Sequence, residues 1–255
     1  MKLRILLFLL WIFLLPGYGF CEEHTLLILH TNDFHGHLSP WVNKALAPPP
    51  REIGGSAYMA ALIRKYREKN PRALLLDAGD IAQGTMVSNL FKGAPVLAVM
   101  NALKYDAGTL GNHEFDWGLP ATLGMIKQAR FPVLCANVRS RATGKLLPGT
   151  RPYVILKEGD IKIGLIGLIT PETPQVTHPK NVKGLEFLPP LEVIRRYYPI
   201  VKSHGADLVM ALSHCGLGED RQIARGTNLL DAIIGGHSHT ELREAVTSSL
   251  SCTKD

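Results

Sequence analysis

Cysteine is scarce in this chain. Cys21, Cys135, Cys215 and Cys252 are the only four, and none forms a C-x-x-C pair, which excludes a zinc knuckle or a dithiol redox motif. An oxidising compartment would permit disulfides, but spacing alone does not pair them. Cys135 lies in an apolar strand-like run and is expected to be buried as an ordinary core residue. Runs of like charge are also missing. The net charge is +6, yet the basic residues are scattered, so a solvated surface is expected and a nucleic-acid polymer is not an expected partner. At 46% hydrophobic residues the chain is too apolar for a disordered protein, and its 24 glycines and 17 prolines suit a loop-rich α/β domain.

The N-terminus has the pattern of a secretory leader. Lys2 and Arg4 precede the apolar run Ile5 to Leu15, and Gly17-Tyr18-Gly19 then places small residues where a signal peptidase cuts. The run is short for a membrane-spanning helix. Phe20 stands before Cys21 where a lipoprotein carries a small residue, which speaks against lipidation there. The expected product is periplasmic or secreted, with no stable membrane partner once residues 1–20 are removed.

Beyond the leader, short apolar runs alternate with helical patterns. Residues 25–30 form an apolar run that opens into Thr31-Asn32-Asp33-Phe34-His35-Gly36-His37. Asp33 and His35 are two apart, and in an extended segment both would point to one side. The excursion 39–52, with Pro48-Pro49-Pro50, is expected to be irregular. A helix follows with Ser56 as its N-cap and Met59, Leu62, Ile63 and Tyr66 inward.

Residues 73–80 are a second run ending in Asp77-Ala78-Gly79-Asp80, where carboxylates at the exit of a buried strand need partners or a metal. Helices are predicted over 95–104 and 120–129, with the loop Gly111-Asn112-His113-Glu114-Phe115-Asp116 between them. Residues 132–138 read as one strand, 152–169 as a hairpin turning at Glu158-Gly159-Asp160, and 189–203 as a helix. A strand over 207–212 ends in Ser213-His214-Cys215-Gly216. The next, over 230–234, ends in Gly235-Gly236-His237-Ser238-His239. His30 and His37, which flank the first of these segments, are expected to be structural or to support the ligands, and His178 and His204, which have no partner motif, to be structural.

The alternation predicts a layered α/β fold, in which ligands gather beyond the carboxyl ends of the strands. Five segments bearing carboxylate, imidazole or amide groups fall at such ends, and that donor set suits Zn, Mn or Fe. One such strand end is unremarkable. Five in one chain point to a dinuclear metal site.

The segments TNDFHGH, LLLDAGD, GNHEFDWG, SHCG and GGHSHT, in this order, resemble the calcineurin-like metallophosphoesterase superfamily and, within it, the bacterial 5′-nucleotidase family. The resemblance runs from about His24 to His239. It implies a four-layer α/β/β/α sandwich with the metal site at the carboxyl ends of the strands. It implies two divalent ions (Zn, Mn or similar), one on Asp33, His35, Asp80 and His239 and the other on Asp80, Asn112, His214 and His237. His113 and Asp116 match the catalytic dyad.

The implied activity is hydrolysis of phosphate from nucleotides or other phosphate esters by a metal-bridging hydroxide. Alternatives within the resemblance are a cyclic-nucleotide phosphodiesterase, a UDP-sugar hydrolase and a sulfur-oxidation thiohydrolase. Relatives continue past GGHSHT into a domain that grips the nucleoside. Here the sequence ends soon after, at Asp255, in an irregular tail over 241–255. A truncated catalytic domain over 24–240 is therefore expected, either active or retaining metal and nucleotide binding without turnover.

Overall fold

A computed structural model describes residues 25–44, 49 and 51–247. The leader, Cys21, Cys252, residues 45–48 and 50 of the proline-bearing excursion, and the tail from 248 lie outside the described residues. The strands in chain order are β1 (Ile28–Thr31), β2 (Trp41–Asn43), β3 (Arg51–Ile53), β4 (Leu74–Asp77), β5 (Ala107–Thr109) and β6 (Val133–Leu134). They continue as β7 (Val138–Ser140), β8 (Tyr153–Glu158), β9 (Ile161–Ile169), β10 (Leu185–Phe187), β11 (Leu208–His214) and β12 (Ala232–Gly235). The helices are α1 (Ser56–Lys69), α2 (Met86–Leu90), α3 (Ala94–Leu103), α4 (Leu119–Gln128), α5 (Thr173–Val176), α6 (Pro190–Ser203) and α7 (Leu217–Gly226).

Two four-stranded sheets carry the fold. One has the order β1-β4-β5-β6 and is all parallel; the other has the order β12-β11-β9-β8, with only β8 antiparallel. Their strands read as continuous apolar runs because both faces are covered. On β4, Leu74 and Leu76 meet Ile163 and Leu165 of β9 and Met210 and Leu212 of β11 between the sheets, while Leu75 turns outward onto Val96, Leu97 and Met100 of α3. On the far side, Ile166, Leu168, Val209 and Ala211 pack on Val193, Ile194 and Val201 of α6 and Ile223 of α7. Helix, sheet, sheet and helix are thus four layers, as expected. The pair β7–β10 caps one end, where Phe115 and Phe187 meet edge to face at 6.0 Å between centroids.

The predicted hairpin forms with its register running from Tyr153↔Ile166 to Glu158↔Ile161, and Cys135 is fully buried as expected. Other expectations change. The excursion 39–52 carries a paired ribbon, β2 with β3, in place of irregular chain. Helix α1 is capped by Gly55; Ser56 already lies inside it and donates instead to the carbonyl of Leu38. Only Ile63 of α1 is fully buried, and Leu62 (54% exposed) and Tyr66 (44%) face out because the inward stripe is narrower than their apolarity suggested. The run 132–138 is broken into β6 and β7, since Cys135 N bonds Arg151 O and Ala136 N bonds Gly167 O, drawing the chain toward the second sheet.

Candidate metal centre

Parallel registers set five carboxyl-terminal strand ends side by side. Thr31 pairs with Asp77, Asp77 with Gly108, and Ser213 with Gly235. These ends and the loops leaving them bring Asp33, His35, Asp80, Asn112, His113, His237 and His239, with His214 at the last position of β11, to one edge of the sandwich. Ligand-type atoms of Asp33, His35 and His239 lie within 4.8 Å of one another, as do those of Asp80, His214 and His237, and those of His35, Asp80 and His113.

The first loop is tied to the second by the backbone: Asp33 N bonds Gly79 O at 2.9 Å and His35 N bonds Asp80 O at 3.0 Å. It is tied to the fifth by a side chain, because both carboxylate oxygens of Asp33 accept from His237 N, at 3.1 and 2.9 Å. His239 Nε2 lies 3.1 Å from His35 Nε2 and 3.3 Å from Asp33 Oδ1. Two imidazole nitrogens that close take either one hydrogen bond or a cation between them.

Asp80 stands at the centre. Its Oδ1 accepts from His113 N at 2.8 Å, and its Oδ2 lies 3.0 Å from His214 Nε2 and 3.9 Å from His35 Nε2. His214 is wholly buried. Its Nδ1 donates to Ala78 O at 2.7 Å, which leaves Nε2 to point inward. The rings of His214 and His237 stand edge to face at 5.0 Å. Burial opposes charge on His214, but the neighbouring Asp80 outweighs it and carries the imidazole up to about 9. Burial lowers His35 and His237, favouring the neutral imidazole that a metal needs.

One buried side-chain atom here, Asn112 Oδ1, has no hydrogen-bond partner, while His214 Nε2 has the Asp80 carboxylate at 3.0 Å. An unpaired buried polar atom is costly, and an amide oxygen left so beside a ring of carboxylates and imidazoles fits a divalent cation. The residues present therefore suit a metal on donor chemistry alone.

His113 and Asp116 sit at the mouth of this cluster. His113 Nδ1 and Asp116 Oδ2 are 2.6 Å apart, and the hydrogen bond to Asp116 raises the imidazole above its ordinary value. The loop that bears them is held by Glu114, which no sequence pattern separates from its packing neighbours. The Glu114 carboxylate accepts from Asp80 N (3.0 Å), Ala82 N (3.1 Å) and Gly111 N (2.6 Å), joining the Asp80 loop to the Asn112 loop. Gly111 is needed for this approach, since a Cβ there would lie 2.5 Å from Asp80 N. Phe115, fully buried, anchors the far side of the loop. Among the described residues, His30, His37, His178 and His204 join none of these groups.

Similarity to known proteins covers the same region. The model of the calcineurin-like phosphoesterase family matches residues 26–241. The chain is 40% identical over 225 residues to the snake venom 5′-nucleotidase of Crotalus adamanteus, covering 85% of this chain and 37% of the relative. It is 35% identical over 246 residues to the trifunctional nucleotide phosphoesterase protein YfkN of Bacillus subtilis (strain 168), covering 84% of this chain and 16% of that one. Among solved structures, the 5′-nucleotidase precursor from Thermus thermophilus superposes with a TM-score of 0.80 at 36% identity, over 89% of this chain and 44% of that one. The chain spans less than half the length of these relatives.

Proposed function

The chain belongs to the calcineurin-like phosphoesterase family, and from that premise we propose that it is a metal-dependent phosphoric ester hydrolase acting on nucleotides. The observation that carries this reading is the convergence of Asp33, His35, Asp80, His214, His237 and His239 at neighbouring strand ends, with the buried Asn112 Oδ1 unpaired in the segment that binds Asp80 and the His113–Asp116 contact beside it. Asp33, His35, Asp80 and His239 would hold one divalent ion, and Asp80, Asn112, His214 and His237 a second, with Asp80 shared. Such ions supply hydroxide at neutral pH and neutralise charge on a phosphoryl group.

The chain's own residues do the rest. Asp116 accepts from Nδ1–H of His113 and so fixes which ring nitrogen faces the substrate. From the rim of the cluster, His113 Nε2 donates to a phosphoryl oxygen or to the leaving oxygen, stabilising charge where it builds up. Glu114 holds Asp80 and Asn112 in register. Nucleotide substrates are supported by the relatives, which are 5′-nucleotidases and a nucleotide phosphoesterase, all longer than this chain. Export is supported by the leader pattern of residues 1–20, and among the described residues no helix is long and apolar enough to cross a membrane. The intact His113–Asp116 contact speaks against a domain that only binds.

The test is turnover of AMP, p-nitrophenyl phosphate and its bis ester by protein loaded with Mn or Zn. We expect hydrolysis, and a loss on the order of 10²–10⁴-fold in kcat for His113→Ala with metal content unchanged. No turnover of any ester with metal bound overturns the reading, and metal lost along with His113 overturns that residue's role.

A further inference from the structure

A sixth strand end reaches the site without contributing a candidate ligand. After β9 the chain turns tightly, with Thr173 Oγ1 donating to Thr170 O at 2.7 Å, and runs through α5 to Thr177, whose N–H bonds Thr173 O at 3.0 Å. The Thr177 hydroxyl then donates to Asp116 Oδ1 at 2.8 Å. Four residues on, Asn181 Nδ2 donates to Asp116 O, also at 2.8 Å. Since Asp116 Oδ2 faces His113 Nδ1 at 2.6 Å, both carboxylate oxygens and the backbone carbonyl of Asp116 are engaged.

We infer that Thr177 is a positioning residue for His113, acting through Asp116; the inference rests on the phosphoesterase reading above. A carboxylate held at one oxygen only can turn about its last bond, and the imidazole it orients turns with it. With Oδ1 taken by Thr177 the carboxylate plane is set, Oδ2 is left to accept from His113, and Nε2 is presented to substrate at one angle. Thr177 is buried (8% exposed), so its hydroxyl is committed to this bond. Asn181 fixes the main chain beneath it. The α5 segment thereby belongs to the machinery that aims His113, in the way an orienting group supports a base in other catalytic constellations.

The experiment uses Thr177→Val, which keeps the shape and removes the hydroxyl, and Thr177→Ser, which restores it. Each is made in the wild-type and the His113→Ala backgrounds and assayed on bis-p-nitrophenyl phosphate with Mn bound. We expect Thr177→Val to lower kcat on the order of 10-fold with KM within about twofold, since misaligned groups cost rate and not binding. Metal content should be unchanged and Thr177→Ser should recover the rate. In the His113→Ala background Thr177→Val should cost nothing further, because the residue it acts through is gone.

Wild-type rates in Thr177→Val, an equal loss in both backgrounds, or no recovery in Thr177→Ser overturns the inference. Should the wild-type protein hydrolyse no ester, the phosphoesterase reading fails separately. The inference is then decided by ¹⁵N-histidine NMR of the Zn-loaded protein. The His113 Nδ1–H resonance should be exchange-protected in the wild type and Thr177→Ser and lost in Thr177→Val; its persistence in Thr177→Val overturns the proposal.

Discussion

Asp33, His35, Asp80, His237 and His239 all have left-handed backbones, with φ of 50°, 47°, 55°, 77° and 50°. This conformation disfavours residues with a Cβ by about 1–2 kcal/mol each. The two-residue spacings D-x-H and H-x-H therefore do not act through the pleat of an extended strand, which is what the spacing alone implies. Asp33 and His35 meet through left-handed residues just past β1, held by backbone hydrogen bonds to the Asp80 loop, whereas His237 and His239 part, His237 joining Asp80 and His214 and His239 joining Asp33 and His35.

Asp77 shows the opposite case, a carboxylate at a strand exit that serves no cluster. It accepts from Thr31 Oγ1 at 2.6 Å and Gly79 N at 2.9 Å and lines a cavity of about 30 Å³ with Leu97, Met100, Met125 and Phe131. Burial pushes its carboxyl from 3.8 up to about 8. The folded state thus keeps a proton that the unfolded chain releases near its ordinary value. The stabilisation is complete below that value and is lost as pH rises through about 8, at up to about 1.4 kcal/mol per pH unit. Urea unfolding across that range should show the stability gap between wild type and Asp77→Asn shrinking as pH rises; a constant gap would refute this account.

At the scale of elements, each parallel strand ends where its loop is needed, and the long helices α1, α3, α6 and α7 cover the sheets. The sheets also have to approach closely. Gly167 of β9 faces Leu134 of β6, and a Cβ there would lie 2.6 Å from the Leu134 carbonyl carbon. Gly167→Ala should cost about 1–3 kcal/mol by forcing the sheets apart. Thermal unfolding checks this, and an unchanged midpoint would mean the sheets shift freely. Element existence was legible from apolar runs and turn residues, down to the hairpin at Glu158-Gly159-Asp160. The ribbon β2–β3, the short helices α2 and α5 and the strand β10 were not, because elements of three to five residues leave no periodicity to read. Nor was the outward turn of Leu62 and Tyr66, since a helix's apolar residues do not reveal how wide a face the sheet will cover.

At the scale of the molecule, the candidate ligands come from loops of both sheets, so a bound cation would tie the two halves of the sandwich together. Ligand binding to the folded state alone stabilises by about 2.7 kcal/mol at a hundredfold excess over Kd, or about 5–10 °C in Tm for a domain of this size. Calorimetry with Mn or Zn against a chelator should show that rise. Equal midpoints would mean that no metal is held by this cluster.

The sequence by itself determined the layered α/β class, the strand exits that carry chemistry, and the identities of Asp33, His35, Asp80, Asn112, His113, Asp116, His214, His237 and His239 as the residues to watch. Those are properties of short segments, where polar groups interrupt apolar runs beside glycine. Only the tertiary structure decided how they meet. Glu114 joins two loops across 34 positions of sequence, and Thr177 reaches Asp116 across 61. Such contacts leave no periodic trace, because they depend on the parallel register of strands distant in sequence and on how far each loop coils after its strand ends.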